Sequence, residues 1–131
     1  MKCVKLLAFI YTVFLAACSG RSGAQSYMVV SPLDFKEKIE SDSNACIIDA
    51  RTLREYNQGH IDGAHLIDWL ETGDFKKQAA ALDKDKTIYV YCRSGHRSAA
   101  AAKYLASQGF NVVDMDGGII AWEGAGLPLV W

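Results

Sequence analysis

From Tyr27 onward, short β-rich apolar runs alternate with stretches of helical spacing. Tyr27 to Val30 reads as a strand. Ser31-Pro32 predicts a helix start, with the serine as cap and the proline at the first helical position. Leu33, Phe35 and Ile39, set among Lys36, Glu37, Lys38 and Glu40, continue it as a short amphipathic helix. Cys46 to Ile48 is a second, buried strand that ends at Asp49, and Ala64 to Ile67 a third, short one. Phe75 to Leu82 reads as helix and Thr87 to Tyr91 as strand. Ala-rich Ser98 to Gln108 is strongly helical, with Gly109 as its stop. Asn111 to Met115 gives the last strand and Gly118 to Glu123 the last short helix. This alternation predicts an α/β layer structure with a mostly parallel sheet. In such sheets, sites form beyond the carboxyl ends of the strands, where Asp49 and Cys92 fall.

The first stretch differs in kind. Lys2 and Lys5 make a basic start, Leu6 to Ala17 is almost wholly apolar, and Ser19-Gly20-Arg21-Ser22-Gly23 is a polar exit. An apolar run of that length is too short to span a bilayer and matches the core of a secretory signal peptide. Its end, Leu15-Ala16-Ala17-Cys18, resembles the bacterial lipobox, in which small residues admit the chain to a peptidase and the thiol accepts a diacylglyceryl group. The resemblance implies lipidation at Cys18, a signal peptide over 1–17, a linker over 18–26, and a folded domain over 27–131. The destination is then the bacterial periplasm, with a lipid tether to the membrane. An ordinary signal peptide with a coincidental cysteine is the blander alternative, and length disfavours an uncleaved anchor.

On this reading Cys3 leaves with the signal, Cys18 carries lipid, and the domain keeps Cys46 and Cys92. Two thiols in an exported domain could pair. Their settings differ, however: Cys46 lies in the apolar run Ala45-Cys46-Ile47-Ile48, where cysteine acts as a small buried hydrophobe, whereas Cys92 ends a strand among cations. Separate roles are expected.

At 131 residues there is room for one domain with a short terminal segment. The net charge of -1 offers no general attraction to nucleic acid or to anionic membrane. Anion binding must come from a local cluster, which directs attention to Arg93, His96 and Arg97.

The segment Tyr91-Cys92-Arg93-Ser94-Gly95-His96-Arg97-Ser98 reads as strand end, loop and helix start. A short loop of this kind turns its backbone N–H groups toward a common centre, and the helix N-terminus adds partial positive charge. Gly95 lets the backbone curl. A thiolate held by such donors is a nucleophile. The loop resembles the six-residue active loop of rhodanese domains. Asp49-Ala50-Arg51, Glu55-Tyr56 and Gly59-His60-Ile61-Asp62-Gly63-Ala64 resemble that family's Asp-x-Arg, Glu-Tyr and Gly-His-Ile-x-Gly-Ala marks. Asp116-Gly117-Gly118 through Trp122 resembles its closing Gly-Gly-x-x-x-Trp segment.

The resemblance implies a rhodanese-like α/β fold, a mostly parallel five-stranded sheet flanked by helices on both faces. It also implies a persulfide mechanism. Cys92 attacks the outer sulfur of a donor such as thiosulfate, sulfite leaves, and the sulfur passes to cyanide or a thiol. The N–H groups of Arg93, Ser94, Gly95, His96, Arg97 and Ser98 would cradle the outer sulfur, and Arg93 and Arg97 would orient a dianionic donor. His96 adds charge when protonated, or lines the entrance. No metal or organic cofactor is required, and Cys92 with His96 among arginines is poor company for a cation.

Other residues carry plainer expectations. Asp49 reads equally as a support behind the loop or as a cap of the next turn. Arg51 and Glu55, four apart, are expected to form a surface ion pair, with Arg51 facing substrate as the alternative. His60 and His65 are expected in turn and packing roles, Trp122 and Leu105 in the core, and Gly117-Gly118 as a conformational requirement.

Three rival functions remain. A phosphatase or arsenate reductase would use a related Cys-Arg loop, but those loops carry one residue more between Cys and Arg than the four here, a wider bowl for a tetrahedral anion. A non-catalytic binding module would have less reason to keep both Cys92 and the cationic loop. A persulfide carrier would share the chemistry and differ only in donor and acceptor.

Overall fold

The computed structural model describes Cys3, Val4 and residues 26–131. The apolar run Leu6 to Ala17, the lipobox-like segment with Cys18, and nearly all of the 18–26 linker lie outside the described residues.

Five strands, β1 (Met28–Val30), β2 (Ala45–Asp49), β3 (His65–Leu66), β4 (Thr87–Tyr91) and β5 (Asn111–Met115), form one sheet in the order β1-β5-β4-β2-β3. Every pairing between them is parallel. Five helices connect them: α1 (Pro32–Ser41), α2 (Leu53–Asn57), α3 (Thr72–Ala80), α4 (His96–Ser107) and α5 (Gly118–Gly124). Ser31 caps α1 by accepting from the Asp34 N–H at 3.2 Å, with Pro32 behind it, as the local pattern predicts.

Alternation along the strands divides the core between the two faces. Cys46, Ile48, Ile88, Val90 and Val112 meet Phe75 and Ala79 of α3 and Ala101, Ala102 and Leu105 of α4. Tyr89, Tyr91, Val113 and Met115 meet Phe35 of α1 and Ile119 and Trp122 of α5. Phe35 has no exposed surface and stands edge-on to Tyr89, Tyr91 and Trp122 at centroid distances of 5.6, 6.5 and 6.4 Å. Such pairs add roughly 0.5–1.5 kcal/mol each beyond area burial. Helices therefore cover both faces of the sheet.

Three expectations need correction. The helix α4 begins at His96, two residues before Ser98, because Gly95 takes a left-handed conformation (φ +100°) and starts the helix inside the loop. A short helix, α2, occupies 53–57. Its signal was present in Thr52-Leu53-Arg54-Glu55, a capping box in which the Thr52 side chain accepts from the Glu55 N–H and the Glu55 carboxylate accepts from the Thr52 N–H. Finally, Cys46 is buried as expected but as half of a disulfide with Cys3, which itself lies in the α3/α4-side core. The Cys3 carbonyl accepts from the Asp83 N–H at 3.0 Å, and Val4 bridges Leu82. Among the described residues, Cys92 is left as the free cysteine.

Candidate active site

β4 is the central strand and is buried along its last four residues, so the chain leaving it at Cys92 starts from a fixed point. The loop then rises over the sheet edge and enters α4 at His96. Cys92 has no exposed surface, while Arg93, Ser94 and His96 above it are exposed. The Gly95 N–H points at the Cys92 sulfur across 3.1 Å. The loop thus holds the sulfur at its floor, facing the N-terminus of a twelve-residue helix.

What keeps the loop curled is the start of α5. The N–H groups of Ile119 and Ile120 donate to the carbonyls of Cys92 and Arg93 at 2.9 and 3.2 Å. With the Cys92 and Arg93 carbonyls bound from outside, the Gly95 N–H is left facing inward at the sulfur. The approach is so close that a Cβ on Gly118 would lie 2.3 Å from the Arg93 oxygen and 2.6 Å from the Cys92 oxygen. Gly117 and Gly118 also have φ of +72° and +61°. The conformational requirement read from this glycine pair is therefore met, and its physical content is contact with the Cys92 loop.

A second support lies behind β4. The Tyr91 hydroxyl donates to Asp49 Oδ2 at 2.7 Å and accepts from the Ile61 N–H at 3.1 Å. Burial, then the Asp49 charge, hold this phenol far above its usual range. Arg51, 5% exposed, clasps Asp49 through Nε and Nη2 and donates to the Gly59 carbonyl at 2.7 Å. Asp49 Oδ1 also accepts from the Arg51 N–H at 2.9 Å, so the carboxylate both shapes its own turn and supports the strand ends.

Arg51 is therefore not the surface partner of Glu55. It precedes the Thr52 cap and lies outside the helical register that a four-residue spacing assumes. Glu55 instead reaches Arg97, with Nη1–Oε2 and Nη2–Oε1 distances of 2.8 and 2.7 Å. That fork holds the Glu55 carboxyl down at about 2, with Thr52 donors helping. Of the loop cations, Arg97 is committed to α2, whereas Arg93 and His96 stand exposed at the mouth.

The remaining sequence candidates fall as follows. Ser98 is fully buried behind the loop, its hydroxyl 3.3 Å from the Gly95 carbonyl. His60 stacks on Tyr56 at 3.7 Å and, rather than sitting in a turn, bridges Val130 through a pair of 2.9 Å backbone bonds; His65 lies exposed on the edge strand, and Trp122 is in the core. Sequence reading missed Asp114, a buried carboxyl on the neighbouring strand whose Oδ1 has no partner. Its signal was a charged residue in the otherwise apolar run Val112-Val113-Asp114-Met115.

A doubly wound parallel sheet with a cysteine-floored loop between its central strand and the next helix defines a class, and the comparisons give it a family. The chain belongs to the Rhodanese-like domain family, whose model matches residues 31–125. Among its relatives, YtwF of Bacillus subtilis is 42% identical over 99 residues, covering 76% of this chain and 93% of that protein. The thiosulfate sulfurtransferase GlpE of Pseudomonas fluorescens is 39% identical over 83 residues, covering 63% and 73%. Among solved structures, a rhodanese-related protein from Thermoplasma volcanium superposes with a TM-score of 0.70 at 34% identity, covering 79% of this chain and 98% of that one.

Proposed function

We propose that this protein is a rhodanese-type sulfurtransferase that carries a sulfane sulfur on Cys92. The observation that carries the reading is the free Cys92 at the floor of the loop, with the Gly95 N–H 3.1 Å from its sulfur. The GlpE relative, a thiosulfate sulfurtransferase, supports it.

In the first half-reaction the Cys92 thiolate attacks the outer sulfur of thiosulfate. A Cys–S bond forms, the donor's S–S bond breaks, and sulfite leaves with the electron pair. In the second, cyanide or a thiolate attacks the outer sulfur of the persulfide and Cys92 departs as thiolate. The inward N–H groups from Arg93 to Ser98 hold the anionic sulfur through both steps. With four residues between Cys92 and Arg97, the bowl suits the single outer sulfur of a persulfide better than a whole phosphate or arsenate group bonded to the cysteine. Arg93 and His96 at the mouth draw the anion in. Arg97, paired with Glu55, braces the loop against α2.

The same proposal places the protein outside the cytoplasm, tethered through a lipid on Cys18. The basic start, the apolar run Leu6 to Ala17 and the Leu15-Ala16-Ala17-Cys18 segment support this. Cleavage before Cys18 would carry Cys3 away, so the Cys3–Cys46 bond belongs to the uncleaved chain. In the processed protein Cys46 is a thiol.

Intact and peptide mass spectrometry of the purified protein tests these readings. After thiosulfate, a gain of one sulfur on the Cys92 peptide is expected, absent in Cys92→Ser; no gain refutes sulfur carriage. A chain that begins at a lipidated Cys18 is expected from membranes, and an unprocessed chain with the Cys3–Cys46 bond refutes the tether.

A further inference from the structure

Asp114 is 3% exposed on β5, next to β4, and takes part in none of the ion pairs among the described residues. Its Oδ1 has no hydrogen-bond partner. Its carboxyl faces the Ser98 hydroxyl in the first turn of α4, and its other nearby donor is the Met115 N–H. Ser98 Oγ in turn lies 3.3 Å from the Gly95 carbonyl, and the Gly95 N–H meets the Cys92 sulfur. Asp114, Ser98 and Gly95 therefore stand in succession behind Cys92, with the Ser98–Gly95 and Gly95–Cys92 steps hydrogen-bonded.

A serine hydroxyl has one proton to donate. It can go to the Gly95 carbonyl or to a carboxylate, and a charge-assisted bond is the stronger of the two. We propose that Asp114 is a positioning residue whose protonation state directs the Ser98 hydroxyl and thereby sets how strongly the Cys92 loop holds an anion. With Asp114 protonated, its own O–H donates to Ser98, and Ser98 donates to Gly95. With Asp114 ionised, Ser98 turns to the carboxylate, Gly95 loses that donor, and a negative charge stands behind the cradle. Anions at Cys92 are then held less well.

The groups around Asp114 favour a change of state in the physiological range. Burial, with Asp116 two residues on adding like charge, pushes its carboxyl up to about 6, against the Ser98 hydroxyl and the Met115 N–H, which pull down. Its strand neighbours Val29 and Val90 carry no charge. On α4, Arg97 is engaged with Glu55, while His96 stands exposed at the mouth and is removed in the test below.

The kinetic consequence rests on the sulfurtransferase reading, but the charge at Cys92 can be measured without it. Cys92 in the full chain is alkylated with iodoacetate and with uncharged iodoacetamide from about pH 5 to about pH 8, in a His96→Gln background, and the Cys92 peptide is quantified. The ratio of anionic to neutral rates is expected to fall roughly fivefold through about pH 6. In Asp114→Asn, which keeps the shape and removes the charge, it should stay flat and high. Ser98→Ala, which keeps the carboxyl and cuts the link to Gly95, should shrink the fall. A fall that persists in Asp114→Asn overturns the proposal. One that survives Ser98→Ala in full overturns the Ser98 route. If the alkylation pattern holds but thiosulfate never adds sulfur to Cys92, the positioning role stands and the sulfurtransferase reading fails.

Discussion

Replacing Gly118 with Ala isolates the contact that curls the Cys92 loop. The added Cβ would lie 2.3 Å from the Arg93 carbonyl oxygen and 2.4 Å from its carbon, both backbone atoms. Reaching even 3.0 Å would require the loop and α5 to separate by about 0.7 Å. That movement weakens the bonds from the Ile119 and Ile120 N–H groups to the Cys92 and Arg93 carbonyls, worth about 1 kcal/mol each. Holding Ala at φ +61° adds about 1–2 kcal/mol. The expected loss is about 3–4 kcal/mol, together with a loop that no longer aims the Gly95 N–H at the sulfur. Gly126→Ala is the control. Its φ is +73°, but nothing lies within 4 Å of the added Cβ, so it carries the conformational cost without the clash. Urea unfolding and the rate of sulfur loading on Cys92 from thiosulfate are measured for both. Gly118→Ala should lose more stability and more than tenfold in loading rate, whereas Gly126→Ala should lose only about 1–2 kcal/mol. A Gly118→Ala protein that matches Gly126→Ala in both measurements would refute the idea that α5 shapes the loop.

Asp49→Asn leaves the Arg51 guanidinium buried beside a neutral amide and should cost about 3–5 kcal/mol in urea unfolding. Adding Arg51→Met should recover much of that loss, and a double variant no better than the single one would argue against a buried charge as its origin. The Glu55–Arg97 fork predicts an acid-sensitive term of about 1–2 kcal/mol, reduced for the partial exposure of both side chains. Because the folded carboxyl is held down, this stabilisation is present above the ordinary carboxylate range and fades as pH falls from about 4.5 through about 2. Glu55→Gln should show lower stability at neutral pH and a flatter acid limb in unfolding followed against pH; an unchanged limb would remove the fork from the account.

The sequence alone determined the order of the strands and of every helix but α2, the α/β class and the chemical loop. Each of these is written locally: the β-rich run Thr87 to Tyr91, the Ser31-Pro32 helix start, and Cys92 followed by arginines and glycine. Boundaries slipped where one glycine decided them, since the left-handed turn at Gly95 brings His96 and Arg97 into α4. Partners were another matter. Spacing suggested Arg51 with Glu55, but the fold gave Arg51 to Asp49 and Glu55 to Arg97 across 42 residues. Cys46 looked like a solitary hydrophobe until Cys3 was found against it. Asp114 had no visible meaning until β5 set it behind the first turn of α4. Local propensity and motif read along the chain, whereas charge pairing, desolvation and the curl of a loop depend on what other segments bring within a few ångströms. The Cys92 loop could thus be named from sequence, and the groups that hold it in place only from tertiary structure.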